Sequence, residues 1–152
     1  MAEDHYSLSA KVFHSIREDI LNGKYGKPVL MKGMQAFRRG EHYYHRNDWA
    51  ERIVSAGKVV NDSPFNNASA HQFMTFLLGK TLETAADLRK VSGELYRANC
   101  HVENFDTAAV KAETEDGIPI YYDTTHNMKE KSIGPFAEYQ FEKGVIYYGK
   151  DF

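Results

Sequence analysis

The sequence predicts an α+β domain: a mostly antiparallel sheet with helices on one face, the other face being available for subunit contact. Three observations lead there. Apolar residues recur at helical spacing in the first half of the chain, and strict alternation governs the second half. Two short turn signals, Asp116-Gly117 and Lys143-Gly144, divide the alternating part into hairpins. A length of 152 residues with 42% hydrophobic and 26% charged residues suits one domain, 1–152, with a core of its own.

The elements follow in order. Ser9 opens a helix that Gly23 closes, with Val12, Phe13, Ile16 and Ile20 on one face. After Gly26-Lys27-Pro28, the run Val29 to Phe37 reads as a strand. The polar, aromatic stretch from Arg38 to Trp49 has neither period and is expected to be a loop with at most one helical turn. Asp62-Ser63-Pro64 marks a helix start, Ser63 as cap and Pro64 at the first helical position, with the helix running to about Leu78. Leu88 to Cys100 reads as one long strand, with Gly93 suggesting a bulge. Thr107 to Glu115 and Ile118 to Thr125 form one hairpin. Phe136 to Glu142 and Val145 to Tyr148 form another.

Composition narrows the function classes. A formal charge of −2 supplies no electrostatic reason for a nucleic-acid or anionic-membrane partner. The single cysteine, Cys100, cannot form an internal disulfide, which fits a reducing compartment. In its expected strand it reads as a small buried residue. The first residues carry no secretory signal pattern, and no apolar run approaches the ~20 residues of a membrane span. A cytoplasmic, soluble protein is the expectation. Ten Tyr and nine Phe are many for this length. Tyr121, Tyr139, Tyr147 and Tyr148 could line a sheet face that another subunit covers, and a Tyr-rich core rim is the alternative.

Lys11 to Gly23 resembles the first helix of a GntR-type winged-helix regulator. Such a domain needs two further helices, one of them a recognition helix, whereas here a strand follows and no basic helix is found. The winged-helix reading is therefore rejected.

Four phrases in order point elsewhere: Gly23-Lys24-Tyr25-Gly26-Lys27-Pro28 after a helix; Tyr43-Tyr44-His45-Arg46-Asn47-Asp48-Trp49-Ala50; Asp62-Ser63-Pro64-Phe65-Asn66-Asn67-Ala68-Ser69-Ala70-His71; and Glu103-Asn104-Phe105-Asp106-Thr107-Ala108-Ala109 with Asp116-Gly117 beyond it. Together they resemble the C-terminal domain of the glucose–fructose oxidoreductase/inositol dehydrogenase (Gfo/Idh/MocA) family, with residues 1–26 as a lead-in helix from the domain junction. The resemblance implies a substrate-binding and oligomerisation domain of an NAD(P)-dependent sugar or polyol oxidoreductase. It also implies a homo-oligomer, such as a dimer, through the open sheet face.

The same resemblance implies a site. His71 matches the family's catalytic histidine, and an unperturbed pKa near ~6.5 suits proton exchange with a substrate hydroxyl. Asn67, four residues earlier, would share its helix face and orient it, where many relatives carry aspartate. Asn66 joins the substrate side, and both asparagines could instead satisfy first-turn N–H groups. Tyr44, Arg46, Asn47 and Trp49 offer the hydrogen-bonding and stacking groups that polyols use. The structural alternative has Trp49 plugging the core and Arg46 in a surface ion pair.

No G-x-G-x-x-G turn is found, so no residue is assigned to cofactor binding, and the family's catalytic lysine has no counterpart. The expectation is a fragment inactive alone, its NAD(P) bound by a domain outside this chain. A non-catalytic scaffold is the second reading. A metal- or sugar-binding module working alone is a distant third, because the loop pair His42 and His45 with His71, His101 and His126 lacks a convincing ligand pattern, and no metal residue is assigned.

Overall fold

In a computed structural model, the structure describes residues 11–60, 62–67 and 70–149, the side chains at 66, 67 and 70–72 excepted. The fold is the expected α+β arrangement. Six strands form one sheet in the order β4-β5-β6-β1-β7-β8: β1 Pro28–Ala36, β4 Leu88–Tyr96, β5 Thr107–Thr114, β6 Pro119–Thr125, β7 Ile133–Phe141 and β8 Gly144–Tyr148. All neighbours are antiparallel except β1 and β6, which run parallel with Met31 beside Ile120 and Gly33 beside Tyr122.

Helix α1, Lys11–Leu21, ends where Gly23 takes a left-handed conformation (φ 73°). The Lys24 N–H returns to Asp19 O at 3.0 Å and the Gly23 N–H to Ile20 O at 2.9 Å, closing the last turn. The helix expected from Ser63 to Leu78 is described in two stretches, α3 Pro64–Asn67 and α4 Ala70–Leu77. Helix α4 lies on β1 and β7, α1 packs on α4, and α3 sits over β5 and β6. The core between them holds Phe13, Met31, Phe73, Met74, Leu77, Tyr122 and Tyr139. Phe13 and Phe73 stack with ring centroids 4.1 Å apart. Gly33 lets α4 approach β1, because a Cβ there would sit 2.8 Å from the Met74 methyl.

Arg17 is buried in the contact between α1 and α4. Its guanidinium donates to Thr81 O and, at 2.5 Å, to Thr84 O, while lying 4.6 Å over the Phe76 ring. The hydrogen bonds and the ring stabilise a cation that burial alone disfavours, and desolvation lowers its pKa.

Several expectations need correction. The long strand Leu88 to Cys100 stops at Tyr96, because the Asp106 carboxylate takes the N–H groups of Ala98 (3.2 Å) and Asn99 (2.6 Å) and turns the chain. Gly93 is not a bulge. It pairs in register with Val110, and the irregularity lies between Leu88 and Lys90. Cys100 is exposed, standing beyond the strand end. Tyr139 and Tyr148 belong to the helix-covered side: Tyr139 is fully buried, and the Tyr148 ring lies 5.3 Å from Phe13. A small hairpin, β2 Val54–Ser55 with β3 Lys58–Val59, was not anticipated. The segment from Arg38 to Trp49 holds one short helix, α2 Glu41–Tyr44, as expected.

Candidate functional site

The loop leaving β1 is built as alternating rings and cations. The Arg39 guanidinium lies over Phe37 (4.7 Å) and Tyr43 (4.3 Å), and that of Arg46 over Tyr43 (3.6 Å) and Trp49 (5.0 Å). Each such contact contributes roughly 0.5–2 kcal/mol, according to how far the cation is desolvated. Arg46 also stands 3.9 Å from the buried Asp62 carboxylate. The Asn47 side-chain oxygen accepts the N–H groups of Trp49 (3.1 Å) and Ala50 (2.7 Å) and so folds the loop back.

The loop ends at Glu51, a non-glycine residue in the left-handed region (φ 53°). Three partners fix it there. Its N–H donates to Asp62 Oδ2 at 2.7 Å, and its carbonyl accepts the Asn104 N–H at 3.0 Å. Its carboxylate Oε1 pairs with His126 Nδ1, both side chains being enclosed. The His126 ring meets Phe37 and Tyr43 edge-on, with centroids 5.3 and 5.5 Å apart. Asn104 Nδ2 donates to Asp62 O at 2.8 Å, so the loop, the α3 approach and the β4–β5 connection form one network.

Beside this network lies a cavity of about 740 Å3. Tyr44, Arg39 and Arg52 line it from the β1 loop, and Asn99, His101 and Glu103 from the β4–β5 connection. The Tyr44 hydroxyl is pushed up to about 12, first by burial and then by the nearby Glu51 carboxylate, against a hydrogen bond from Asn99. Tyr44 therefore keeps its proton at neutral pH and offers both a donor and an acceptor. Burial raises Tyr43 in the same direction, opposed by the nearby Arg46 guanidinium. A polar cavity with arginines, an amide, a phenol and a carboxylate can bind a polyhydroxylated ligand with several hydrogen bonds.

Of the residues picked from sequence, Tyr44 lines this cavity. Arg46, Asn47 and Trp49 instead organise the loop that carries Tyr44. Arg46 forms an ion pair, but with a buried partner, and Trp49 is 40% exposed rather than a core plug. His71 lies in α4, and Asn66 and Asn67 in α3; their side chains are outside the described residues. Sequence reasoning missed Glu51, Arg39, Asn99 and the structural part of Asp62, and considered His126 only as a metal ligand. Among the described residues, no group of three or more His, Cys, Asp or Glu side chains is placed to hold a metal ion. No described helix is long and apolar enough to cross a membrane.

A pyrophosphate seat needs a glycine turn between a strand end and a helix N-terminus. Among the described residues Gly40 stands between the end of β1 and the four-residue α2, without the further glycines of such a turn.

No protein-family profile matches the chain. No curated protein matches it in sequence. Solved structures do match in fold. The WlbA dehydrogenase from Bordetella pertussis, in complex with NADH and UDP-GlcNAcA, superposes with a TM-score of 0.76 at 16% identity, over 93% of this chain and 40% of that one. GenD2 from gentamicin A biosynthesis, in complex with NAD, gives 0.68 at 15% over 90% and 36%. The myo-inositol 2-dehydrogenase from Lactobacillus plantarum gives 0.68 at 13% over 93% and 40%. This chain thus spans 36–40% of the length of these proteins. At such identities the likeness is one of architecture: nearly the whole chain has the fold of a segment of these dehydrogenases.

Proposed function

We propose that this chain is the substrate-side, C-terminal-type domain of an NAD(P)-dependent sugar or polyol oxidoreductase of the Gfo/Idh/MocA family, with the nucleotide held by a separate Rossmann-type unit. The observation that carries this reading is the superposition on dehydrogenases over 93% of this chain but only 40% of theirs. That the sequence carries no G-x-G-x-x-G phrase supports it from the other side.

In this reading the cavity beside Glu51 holds sugar or polyol hydroxyls. Tyr44 and Asn99 serve as neutral partners and Arg39 and Arg52 as cationic donors, while Arg46, Asn47 and Trp49 shape the loop. His71 is the residue assigned to taking up the proton of a substrate hydroxyl, with Asn67 as its hydrogen-bonding neighbour and Asn66 beside the substrate. An amide in place of a carboxylate orients an imidazole without raising its basicity through charge. The chain alone is then a binding half without turnover.

The test is a titration of the 15N-labelled chain with myo-inositol, followed by amide shifts. Saturable shifts confined to 39–52, 66–71 and 99–103 support the reading. Shifts confined to other regions contradict the cavity assignment.

A second reading, assembly through the open sheet face, rests on the residues that face away from the helices. Lys32, Met34, Tyr121 and Tyr147 stand there exposed, and no described helix covers them. It is compatible with the first, since one domain can bind substrate and join subunits.

A further inference from the structure

Strand β4 ends the sheet at one side, and all nine of its residues, Leu88–Tyr96, are exposed. An edge of this length presents a row of backbone donors and acceptors, which proteins ordinarily blunt with proline, charged side chains, bulges or very short strands; here the charges are Arg89, Lys90 and Glu94. No proline lies in Leu88–Tyr96. The one register shift is confined to its start, and from Lys90 to Tyr96 the strand pairs regularly with Glu113 to Thr107 of β5. Val91 and Leu95 sit opposite the buried Ala112 and Ala108, yet are themselves 60% and 59% exposed. The helices cover β5 and stop short of β4.

The side chains of this edge are self-complementary in one arrangement. Lys90 and Glu94 lie two residues to either side of Ser92 and project to one face of the sheet, with Glu113 opposite Lys90, Lys111 opposite Ser92 and Ala109 opposite Glu94. A second β4, added antiparallel about a two-fold axis at Ser92 and perpendicular to the sheet, sets Lys90 of each copy against Glu94 of the other. The same axis sets Ser92 against Ser92. It also places Val91 over Gly93, where no side chain obstructs it, with Leu95 on the diagonal. Moving the axis to Gly93 sets Lys90 against Tyr96 and Glu94 against Ser92. Moving it to Val91 sets Lys90 against Ser92 and Glu94 against Leu88. The charges match when the axis lies at Ser92.

We infer that β4 is a homotypic docking edge, on which a second copy of this chain continues the sheet antiparallel across Ser92. The backbone contact runs along the β4 edge and does not depend on any ligand, while Lys90 and Glu94 themselves project on the open face, on the side of Lys111 and Tyr121. Opposite charges directly across an antiparallel pair stabilise it, and like charges destabilise it, by comparable amounts.

Sedimentation equilibrium of the full chain, of Lys90→Glu, of Glu94→Lys and of the double variant Lys90→Glu/Glu94→Lys tests this. The expected result is a dimer whose dissociation constant rises by about tenfold or more in either single variant, since each places two pairs of like charges across the axis. The double variant restores it to within about threefold, because the pairs are reformed with signs exchanged. That restoration also separates an interface effect from a folding defect. A chain that stays monomeric, single variants with an unchanged constant, or a double variant no tighter than the singles would each overturn the inference. So would a dimer that ignores these charges and is broken by Tyr121→Glu on the open face.

Discussion

The carboxylate of Glu51 and the imidazole of His126, 75 positions apart in the chain, form an enclosed pair that ties the end of the β1 loop to the end of β6. Among the described residues, the other carboxylate oxygen of Glu51 and His126 Nε2 are buried without a hydrogen-bond partner, so the pair is the polar contact each side chain makes. Removing either side chain leaves the other buried and unpaired.

His126→Ala and Glu51→Ala are each expected to destabilise the fold by about 1–3 kcal/mol or more, the cost of leaving a buried polar partner unsatisfied. Glu51→Gln keeps a hydrogen-bonding group and is expected to cost less. Urea unfolding followed by circular dichroism measures all three, and losses below about 1 kcal/mol for both alanine variants would show that the pair does not hold the loop.

Arg17 anchors the turn after α4, and Gly79 lets it approach. A Cβ at Gly79 would lie 1.9 Å from Thr84 O and 2.5 Å from the Arg17 guanidinium. Gly79→Ala is therefore expected to cost at least about 1–3 kcal/mol by overpacking against backbone. Arg17→Met, which leaves two carbonyls without their donor, is expected to cost a similar amount. Differential scanning calorimetry should show both as lower Tm values.

Tyrosine burial gives the protein an alkaline limit. Burial raises the hydroxyls of Tyr44, Tyr122 and Tyr139 above the ordinary tyrosine value of 10.0, that of Tyr44 to about 12. The folded state holds these protons more tightly than the unfolded chain does. Their contribution is therefore complete below about pH 10 and is lost as pH rises through the folded values. Tm is expected to be flat in this respect up to about pH 9.5 and to fall beyond it. Tyr139→Phe should soften the fall and cost little at neutral pH, since the Tyr139 hydroxyl is buried without a partner.

The left-handed residue pair Ala56 (φ 47°) and Gly57 (φ 74°) forms the turn of the β2–β3 hairpin. Alanine is strained there, so Ala56→Gly or Ala56→Asn is expected to leave stability equal or raise it by about 0.5–1 kcal/mol. A loss of more than that in chemical denaturation would contradict the turn assignment.

These residues also show what the sequence makes legible. Alternation with Asp116-Gly117 and Lys143-Gly144 announced β5 to β8, because hairpins follow from local turn chemistry. The buried face of α1 was legible from its period in Phe13, Ile16 and Ile20, whereas Val12, expected on the same face, is exposed. Ala56-Gly57 hid its hairpin, since alanine is not a residue that marks a left-handed position. The end of β4 was hidden because Asp106, ten residues beyond Tyr96, turns the chain there through its carboxylate. Arg17 reads as a surface residue until α4 and the 79–84 turn close over it. The site was legible as a composition, in the Tyr43 to Trp49 phrase, but not as a geometry. Tyr44 lines the cavity while Arg46, Asn47 and Trp49 hold the loop, and only the tertiary pairing of Glu51 with His126 and Asp62 decides which does which.

The central claim is that this chain supplies the substrate side of an oxidoreductase and leaves the nucleotide to another unit. Isothermal titration of the purified chain with NADH tests it most directly. The account predicts no saturable heat up to millimolar nucleotide, because the sequence carries no G-x-G-x-x-G turn to seat a pyrophosphate on a helix N-terminus. A saturable isotherm with a micromolar dissociation constant would contradict it.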